Sequence, residues 1–142
     1  MQLSRFTDYT LRVLFYVAAN NDRLVTLSEI AGYFDISVEH LRKVVHALSK
    51  SGHLATFRGK NGGIKLAVDA TEINLAVVVA QTEGKEPLID CSKQGCRLTG
   101  SCSLQGILDR AQAQFMAVLE EYTLADLIKS PTMRQQLLLK AV

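Results

Sequence analysis

Three cysteines, Cys91, Cys96 and Cys102, lie within twelve consecutive residues, and the chain has no other cysteine. Thiolates are the preferred ligands of iron-sulfur clusters and also bind zinc, so three on one short segment can converge on a single metal centre. Disulfides would leave one of these three thiols unpaired. The spacing therefore predicts a metal-binding loop, with a structural zinc as the alternative to an iron-sulfur cluster.

The sequence lacks the residue sets that common classes of enzyme use. It has no Ser/His/Asp set, no phosphate-binding glycine loop and no redox Cys-x-x-Cys spacing. The histidines, His40, His46 and His53, all precede the cysteines and lack ligand spacing to them. We therefore expect that the protein is not an enzyme and that each histidine is a surface residue or a phosphate contact.

Composition is that of a globular protein of ordinary domain size. Of the 142 residues, 48% are apolar and 21% are charged, which suffices for a hydrophobic core. No apolar run approaches the roughly 18 residues of a membrane span, and residues 1–8 hold no apolar signal core. We expect one compact domain with residues 1–70 and 71–142 as its two regions, located in the cytoplasm and without membrane contact.

Apolar spacing and capping residues predict three helices in the first 52 residues. The first covers residues 7–19, and the second covers residues 27–34 behind a capping box of Thr26 and Glu29. Ser37 is a good N-cap for the third helix. A short turn between the second and third helices is typical of a helix-turn-helix.

Two β-like runs follow, over residues 54–58 and 64–68. The glycine-rich segment 59–63 between them permits the positive φ angles of a hairpin turn, which makes the hairpin a wing. The expected fold class is therefore mainly α with a small β-hairpin, a winged helix-turn-helix plus a long C-terminal dimerisation helix.

Further helices are predicted on both sides of the cysteine loop. Asn74 caps a helix to about residue 82, and the long helix covers residues 104–122. Thr123 begins a short helix to residue 129 that Pro131 ends. The apolar residues 137–139 either pack back on the chain or fray.

The segment from His40 to Val68 carries six basic residues and no acidic one, although the net charge of the chain is only +2. One sign of charge on a surface is what a polyanion selects, and the alternative is an ordinary solvated face. Because a helix fits the major groove of double-stranded DNA, the third helix is expected to read bases. The base-reading candidates are Glu39, His40, Arg42 and Lys43. The candidates on the wing, for phosphate or minor-groove contacts, are Arg58, Lys60 and Asn61.

The long C-terminal helix carries apolar residues in alternating steps of four and three, the spacing of helices that pack along one another. Reading two half-sites of DNA calls for a dimer, so we expect a homodimer through this helix. The alternative is a helix buried within its own chain. The dimerisation candidates are Leu104, Leu108, Ala111, Phe115, Val118 and Tyr122.

Four segments together resemble the NsrR group of nitric-oxide-sensing repressors. They are residues 1–9 (MQLSRFTDY), the wing residues 58–63 (RGKNGG), the cysteine triplet and residues 122–127 (YTLADL). The wider family of winged-helix regulators includes IscR. The resemblance implies a dimer whose long helices cross, bound to a palindromic operator and released when nitric oxide reacts with an iron-sulfur cluster. Sensing of cluster supply or redox state is the alternative signal.

The same resemblance implies that the three cysteines hold the cluster, with a four-iron four-sulfur form favoured over a two-iron two-sulfur form. IscR-like proteins have a histidine ligand three residues beyond the last cysteine, where this chain has Gln105. NsrR-like proteins use an aspartate of the other subunit, and Asp8 occupies the matching place. The alternative role for Asp8 is a surface ion pair with Arg12, four residues further along the helix.

Overall fold

The computed structural model describes residues 1–138, which are mainly helical. The helices are α1 (Arg5–Ala19), α2 (Leu27–Phe34), α3 (Val38–Lys50), α4 (Leu75–Glu83), α5 (Cys91–Gln94), α6 (Ser103–Glu120), α7 (Leu124–Leu127) and α8 (Pro131–Leu138). Strands β1 (Leu54–Phe57) and β2 (Gly63–Leu66) pair between α3 and α4, and a 3₁₀ turn covers Ala70–Glu72. The expected fold class, a winged helix-turn-helix followed by a long helix, is confirmed. No helix of the described residues combines the length and the apolarity that crossing a bilayer requires.

Polar side chains set the starts of the first three helices. The Ser4 hydroxyl accepts a hydrogen bond from the backbone N–H of Thr7 at 3.2 Å, so α1 begins two residues before the predicted start. Thr26 and Ser37 cap α2 and α3 in the same way, as predicted. Each cap satisfies an amide that the first turn of a helix leaves unpaired.

The predicted capping box at the start of α2 is wrong in its second half. The Glu29 carboxylate accepts a hydrogen bond from the Tyr16 hydroxyl at 2.8 Å and forms an ion pair with Arg23. Burial and then Glu29 raise the pKa of Tyr16 to about 12, while Arg23 holds the pKa of Glu29 below its ordinary value. The carboxylate therefore connects α1, the following turn and α2 instead of capping the helix.

Helix α1 lies at the centre of the core. Its Val13, Leu14 and Val17 side chains are fully buried. On α3, Leu41 is also fully buried and Val44 is 1% exposed. Besides α3, helix α1 contacts β2, α4, α7 and α8. The helix-turn-helix and the C-terminal helices thus share α1 as a common packing partner.

The wing is a short antiparallel hairpin, with Leu54 opposite Leu66 and Phe57 opposite Gly63. The backbone of Ile64 also exchanges two hydrogen bonds with Val25, with N···O distances of 2.9 and 2.7 Å. These bonds fix strand β2, close to the turn of the wing, to the segment between α1 and α2. Each strand pairs over four residues, so both are shorter than the predicted runs.

Helices α4 and α6 run antiparallel and are tied together at one end. The backbone N–H of Leu75 donates to the carbonyl of Tyr122 at 3.0 Å, and the Asn74 side chain donates to the carbonyl of Glu120 at 2.8 Å. Asn74 also caps α4, as predicted. The chain between these two helices carries the cysteines at the opposite end of the pair.

The C-terminal segment packs back on α1. Pro131 is the first residue of α8, so it begins a helix after α7 has already ended at Leu127, two residues before the predicted end. Leu137 is 4% exposed, and its carbonyl accepts a hydrogen bond from the buried Asn20 side chain at 3.1 Å. Leu137 therefore packs back on the chain, whereas Leu138 is 49% exposed and Leu139 lies outside the described residues.

Candidate metal centre and DNA-binding face

The first of the three cysteines lies in the short helix α5, and the other two follow it in the chain. Cys91 is the first residue of α5, Cys96 follows the C-cap Gly95, and Cys102 is the N-cap of α6. Gly95 and Gly100 have φ angles of 64° and 88°, a region that glycine reaches without strain. The segment that was expected to be a loop therefore contains one helical turn, and all three thiols are free.

Hydrogen bonds connect the backbones of the first two cysteines. The N–H of Cys96 donates to the carbonyl of Cys91 at 3.3 Å, and the Thr99 hydroxyl lies 3.3 Å from the Cys91 carbonyl and 2.7 Å from that of Cys96. Partial burial, and then the charges of Cys96 and Cys102, raise the pKa of the Cys91 thiol. Binding of a metal to this cysteine would displace the thiol proton.

The donor set fits an iron-sulfur cluster in its chemistry, but the single chain does not close around one. Thiolates are the usual cluster ligands, and these three share one segment without a disulfide. Within residues 1–138, however, no group of three or more His, Cys, Asp or Glu side chains is arranged to hold a metal ion. Binding a cluster would require the segment to close and a fourth ligand to come from elsewhere.

Asp8 lies on the first turn of α1 and is partly exposed. Its carboxylate pairs with the Arg12 guanidinium at an Nε–Oδ1 distance of 2.9 Å. An exposed pair at this helical spacing stabilises a protein by only about 0.3–0.5 kcal/mol, so exchanging Arg12 for another partner costs little. In the single chain, Asp8 forms the surface ion pair that was the alternative to a metal ligand.

Hydrogen bonds join the turn that carries Asp8 to the helix that leads into the cysteines. The carboxylate of Glu83, at the end of α4, accepts from the backbone N–H of Ser4 at 2.6 Å and from the Thr7 hydroxyl. Thr7 is fully buried, and its hydroxyl also lies 2.8 Å from that of Thr82. The Thr7 hydroxyl and then Ser4 hold the pKa of Glu83 below its ordinary value. The start of α1 and the end of α4 are therefore directly connected.

The four base-reading candidates on α3 are exposed, but they form two pairs. Glu39 and Arg42 form an ion pair with each other at 3.3 Å. The His40 ring lies beside α1, with its centroid 6.1 Å from that of Tyr9, and Lys43 lines the same small pocket. Glu39 and Arg42 therefore pair with each other on the exposed side of α3, whereas His40 and Lys43 adjoin α1.

The wing candidates Arg58, Lys60 and Asn61 are exposed around its turn. The chain turns tightly there, because the N–H of Gly62 donates to the carbonyl of Gly59 at 3.0 Å. A Cβ atom at Gly62 would overlap the carbonyl oxygen of Phe57. Glycine at this position therefore fixes the shape of the turn that presents the basic residues.

Helix α6 has one half-buried apolar face and one exposed apolar stripe. Leu108, one of the predicted dimerisation residues, is half-buried in the single chain, as are Met116 and Leu119. Ile107, which was not among the predicted residues, is 59% exposed. The exposed stripe consists of Leu104, Ile107, Ala111, Phe115 and Val118 on α6 and Tyr122 just beyond it.

Comparison with known proteins identifies the family. Residues 3–130 match the family Rrf2, described as an iron-dependent transcriptional regulator. The HTH-type transcriptional regulator NsrR of Oceanobacillus iheyensis is 46% identical over 134 residues, which cover 92% of this chain and 91% of the relative. The NsrR regulator of Halalkalibacterium halodurans is 42% identical over 142 residues, 97% of each chain. The resemblance to the NsrR group is confirmed.

Solved structures share the fold over most of the chain. The IscR of T. potens has a TM-score of 0.71 at 23% identity and covers 91% of this chain and 87% of its own. The oxidized form of CymR from Staphylococcus aureus has a TM-score of 0.72 at 23% identity and covers 87% of this chain and 93% of its own. At these identities the likeness supports the winged-helix fold alone.

The relatives in sequence are regulators of transcription, which confirms that the chain is not an enzyme. A helix-turn-helix with a basic wing is the part of such a regulator that binds DNA. On the match over residues 3–130, the chain belongs to the Rrf2 family of iron-dependent transcriptional regulators.

Proposed function

We propose that this regulator is a cytoplasmic repressor that binds a palindromic operator as an iron-sulfur-loaded homodimer and releases it in response to nitric oxide. The observation that carries the proposal is the joining of a winged helix-turn-helix to three free cysteines in one chain of an iron-dependent family. Relatives named NsrR, at 42–46% identity, support nitric oxide as the signal.

The proposed ligands of a four-iron four-sulfur cluster are Cys91, Cys96, Cys102 and Asp8 of the partner subunit. Such clusters take four protein ligands, so three cysteines leave one position for another residue. Gln105 on the first turn of α6 offers only a neutral amide. Asp8 offers a carboxylate that is held in the single chain by one exposed ion pair.

When bound, the cluster would supply iron for reaction with nitric oxide, and Asp8 would be the ligand most readily displaced, because a carboxylate binds iron less firmly than a thiolate does. If Asp8 no longer bound the cluster, its carboxylate would again pair with Arg12. The first turn of α1 would then no longer be attached to the cysteine segment of the other chain. Because Ser4 and Thr7 on this turn are bonded to Glu83, the change reaches α4 as well. A coupling of about 1–3 kcal/mol changes operator affinity roughly 5- to 150-fold, which is enough for a switch.

The exposed stripe of α6 supports the homodimer. Its apolar side chains cover several helical turns, and burying each large one against a partner would contribute about 1.5–3 kcal/mol. Two identical stripes crossing at a two-fold axis would place two helix-turn-helix units for two half-sites.

The first test is the composition of protein purified without oxygen. We expect a coloured protein with iron and acid-labile sulfide in equal amounts, measured by absorption and by metal and sulfide analysis. Colourless protein with one zinc per chain would contradict the proposal and support the structural-zinc alternative.

The second test is binding to an operator selected from a random-sequence DNA pool. Cluster-loaded protein should bind more tightly than cluster-free or nitric-oxide-treated protein at one fixed salt concentration, because affinity for DNA depends steeply on salt. Equal binding by all three forms would rule out the sensor. A response to cluster loss without any response to nitric oxide would identify the signal as cluster supply instead.

Substitution of the fourth ligand separates its role from that of the thiols. We expect Asp8→Ala to change the visible spectrum and to weaken the response of DNA binding to nitric oxide, while the dimer persists. Asp22→Ala, at another exposed aspartate near α1, is the matched control and should change neither. An Asp8→Ala protein with the spectrum and response of the unmodified chain would exclude Asp8 as a ligand.

A further inference from the structure

A small pocket of about 170 Å³ lies between the first turns of α1 and α3. Val44 is buried beneath it, and the Tyr9 and His40 rings meet along one side with centroids 6.1 Å apart. The basic residues at its opening come from both helices. The pocket is lined by Arg5, Phe6, Tyr9, His40, Lys43 and Val44.

No carboxylate lines this pocket. On the same two helices, Asp8 pairs with Arg12, and Glu39 pairs with Arg42. Within residues 1–138, neither Arg5 nor Lys43 takes part in an ion pair. Two unpaired cations beside a histidine and a tyrosine hydroxyl provide charge and hydrogen-bond donors for an anion.

The position of the pocket in the fold indicates which anion it would bind. It adjoins the first turns of α3, the part of a recognition helix that lies in the major groove, and phosphates line both edges of that groove. The N-terminal end of α1 adds partial positive charge from its backbone amides. A phosphate of the DNA backbone is therefore the anion that reaches this position when α3 is bound.

We infer that the pocket between α1 and α3 binds a phosphate of the DNA backbone, with Arg5 and Lys43 as charged contacts and Tyr9 and His40 as its wall. The inference rests on DNA binding by the helix-turn-helix and not on the iron-sulfur cluster. The inference gives the residues of α3 two different roles. Glu39 and Arg42 would contact bases, and His40 and Lys43 would position the helix on the duplex.

The test compares variants on two duplexes, one selected from a random pool by the unmodified protein and one with the same bases scrambled. Arg5→Ala and Lys43→Gln should each weaken binding to both duplexes by the same factor, roughly 5- to 10-fold at 0.1 M salt for one lost phosphate contact. Each should also reduce the slope of log affinity against log salt by about 1. Tyr9→Phe, which keeps the ring beside His40, should have a smaller effect of the same kind.

Two controls separate this role from others. Arg134→Ala removes an exposed arginine on α8 and should leave affinity and salt slope unchanged, and Arg42→Ala should reduce the preference for the selected duplex. Arg5→Ala and Lys43→Gln proteins with unchanged affinity and slope, or with a loss confined to the selected duplex, would overturn the inference. Failure of the unmodified protein to bind either duplex would instead contradict the DNA-binding function itself.

Discussion

Glu29 connects three parts of the helix-turn-helix through one carboxylate. It accepts hydrogen bonds from the Tyr16 hydroxyl on α1 and from Arg23 in the turn before α2, and it lies on α2 itself. The side chains of Arg23 and Glu29 are 39% and 26% exposed, so solvent screens part of their attraction. One of the contacts between α1 and α2 therefore depends on a group whose charge changes with pH.

We expect Glu29→Gln to lower the free energy of unfolding by about 1 kcal/mol at neutral pH, after allowance for solvent screening. The pKa of Glu29 is lowered in the folded chain, so its stabilisation is complete above the ordinary pKa of a glutamate and is lost as the pH falls through the lowered value. Urea unfolding at pH 7 and at about pH 3 measures both effects, and the difference between the two proteins should shrink at the lower pH.

The matched control is Glu39→Gln. Glu39 has a side chain that is 77% exposed and a single ion pair with Arg42, so its loss should not change stability measurably. Equal effects of the two substitutions would show that the Glu29 contacts contribute nothing beyond an ordinary surface charge.

Single residues were predictable from the sequence where the local chain decides their role. Ser37 and Thr26 cap their helices as predicted because a cap depends on the next three residues. Glu29 was assigned to the cap of its own helix, but Tyr16 and Arg23 are better partners that only folding brings near. The pocket lined by Arg5 and Tyr9 was not visible in the sequence, because it forms only when α3 lies beside α1.

Helix α6 has two apolar faces that the sequence alone does not distinguish. Steps of four and three lead from Leu104 to Leu108 as easily as to Ile107, and the sequence does not say which face the rest of the chain covers. In the folded chain Leu108 is half-buried and Ile107 is 59% exposed. The length of the helix was predicted well, whereas its rotation about its own axis depends on contacts with α4.

A pair of alanines on α6 tests the proposed dimer. Ala111 lies in the exposed stripe, and Ala113, two residues on and about 200° around the helix, lies outside it. We expect Ala111→Glu to shift the protein from dimer to monomer in sedimentation measurements, because two carboxylates would face each other across the axis. Ala113→Glu should remain dimeric, and monomeric behaviour of neither or of both variants would contradict the stripe as the interface.

The cysteine segment was the element least accessible to prediction. Its cysteine spacing indicated metal binding, and its glycines indicated a loop, but the single turn of α5 depends on the cap that Asp90 provides to Lys93 N–H at 3.1 Å.

The whole molecule is organised around α1, which packs against both the helix-turn-helix and the C-terminal helices. Residues 71–138 contribute at least four buried apolar side chains, each worth about 1.5–3 kcal/mol of burial. Their sum is comparable to the whole stability of a typical domain, about 5–15 kcal/mol. They are Ile73, Val78, Leu124 and Leu137. The proposal of one compact domain with two regions, 1–70 and 71–142, rests on this shared core.

We therefore expect a fragment of residues 1–70 to lack a cooperative thermal transition, although it contains the entire winged helix-turn-helix. Circular dichroism during heating measures this, with the full chain as reference. A fragment of residues 1–130, which ends just before α8, is an intermediate case. A sharp transition of the 1–70 fragment near that of the full chain would show that the first region is an independent domain.

The backbone hydrogen bonds between α4 and α6 near Leu75 and Tyr122 have a consequence for proteolysis. A protease that cuts the exposed chain between Glu86 and Ser101 would leave two pieces still joined by these bonds and by the core around α1. The nicked protein would keep its size but would have lost the continuity of its metal-binding segment, and it would then bind the operator as weakly as the proposed cluster-free form. Cleavage of this segment would thus relieve repression without nitric oxide.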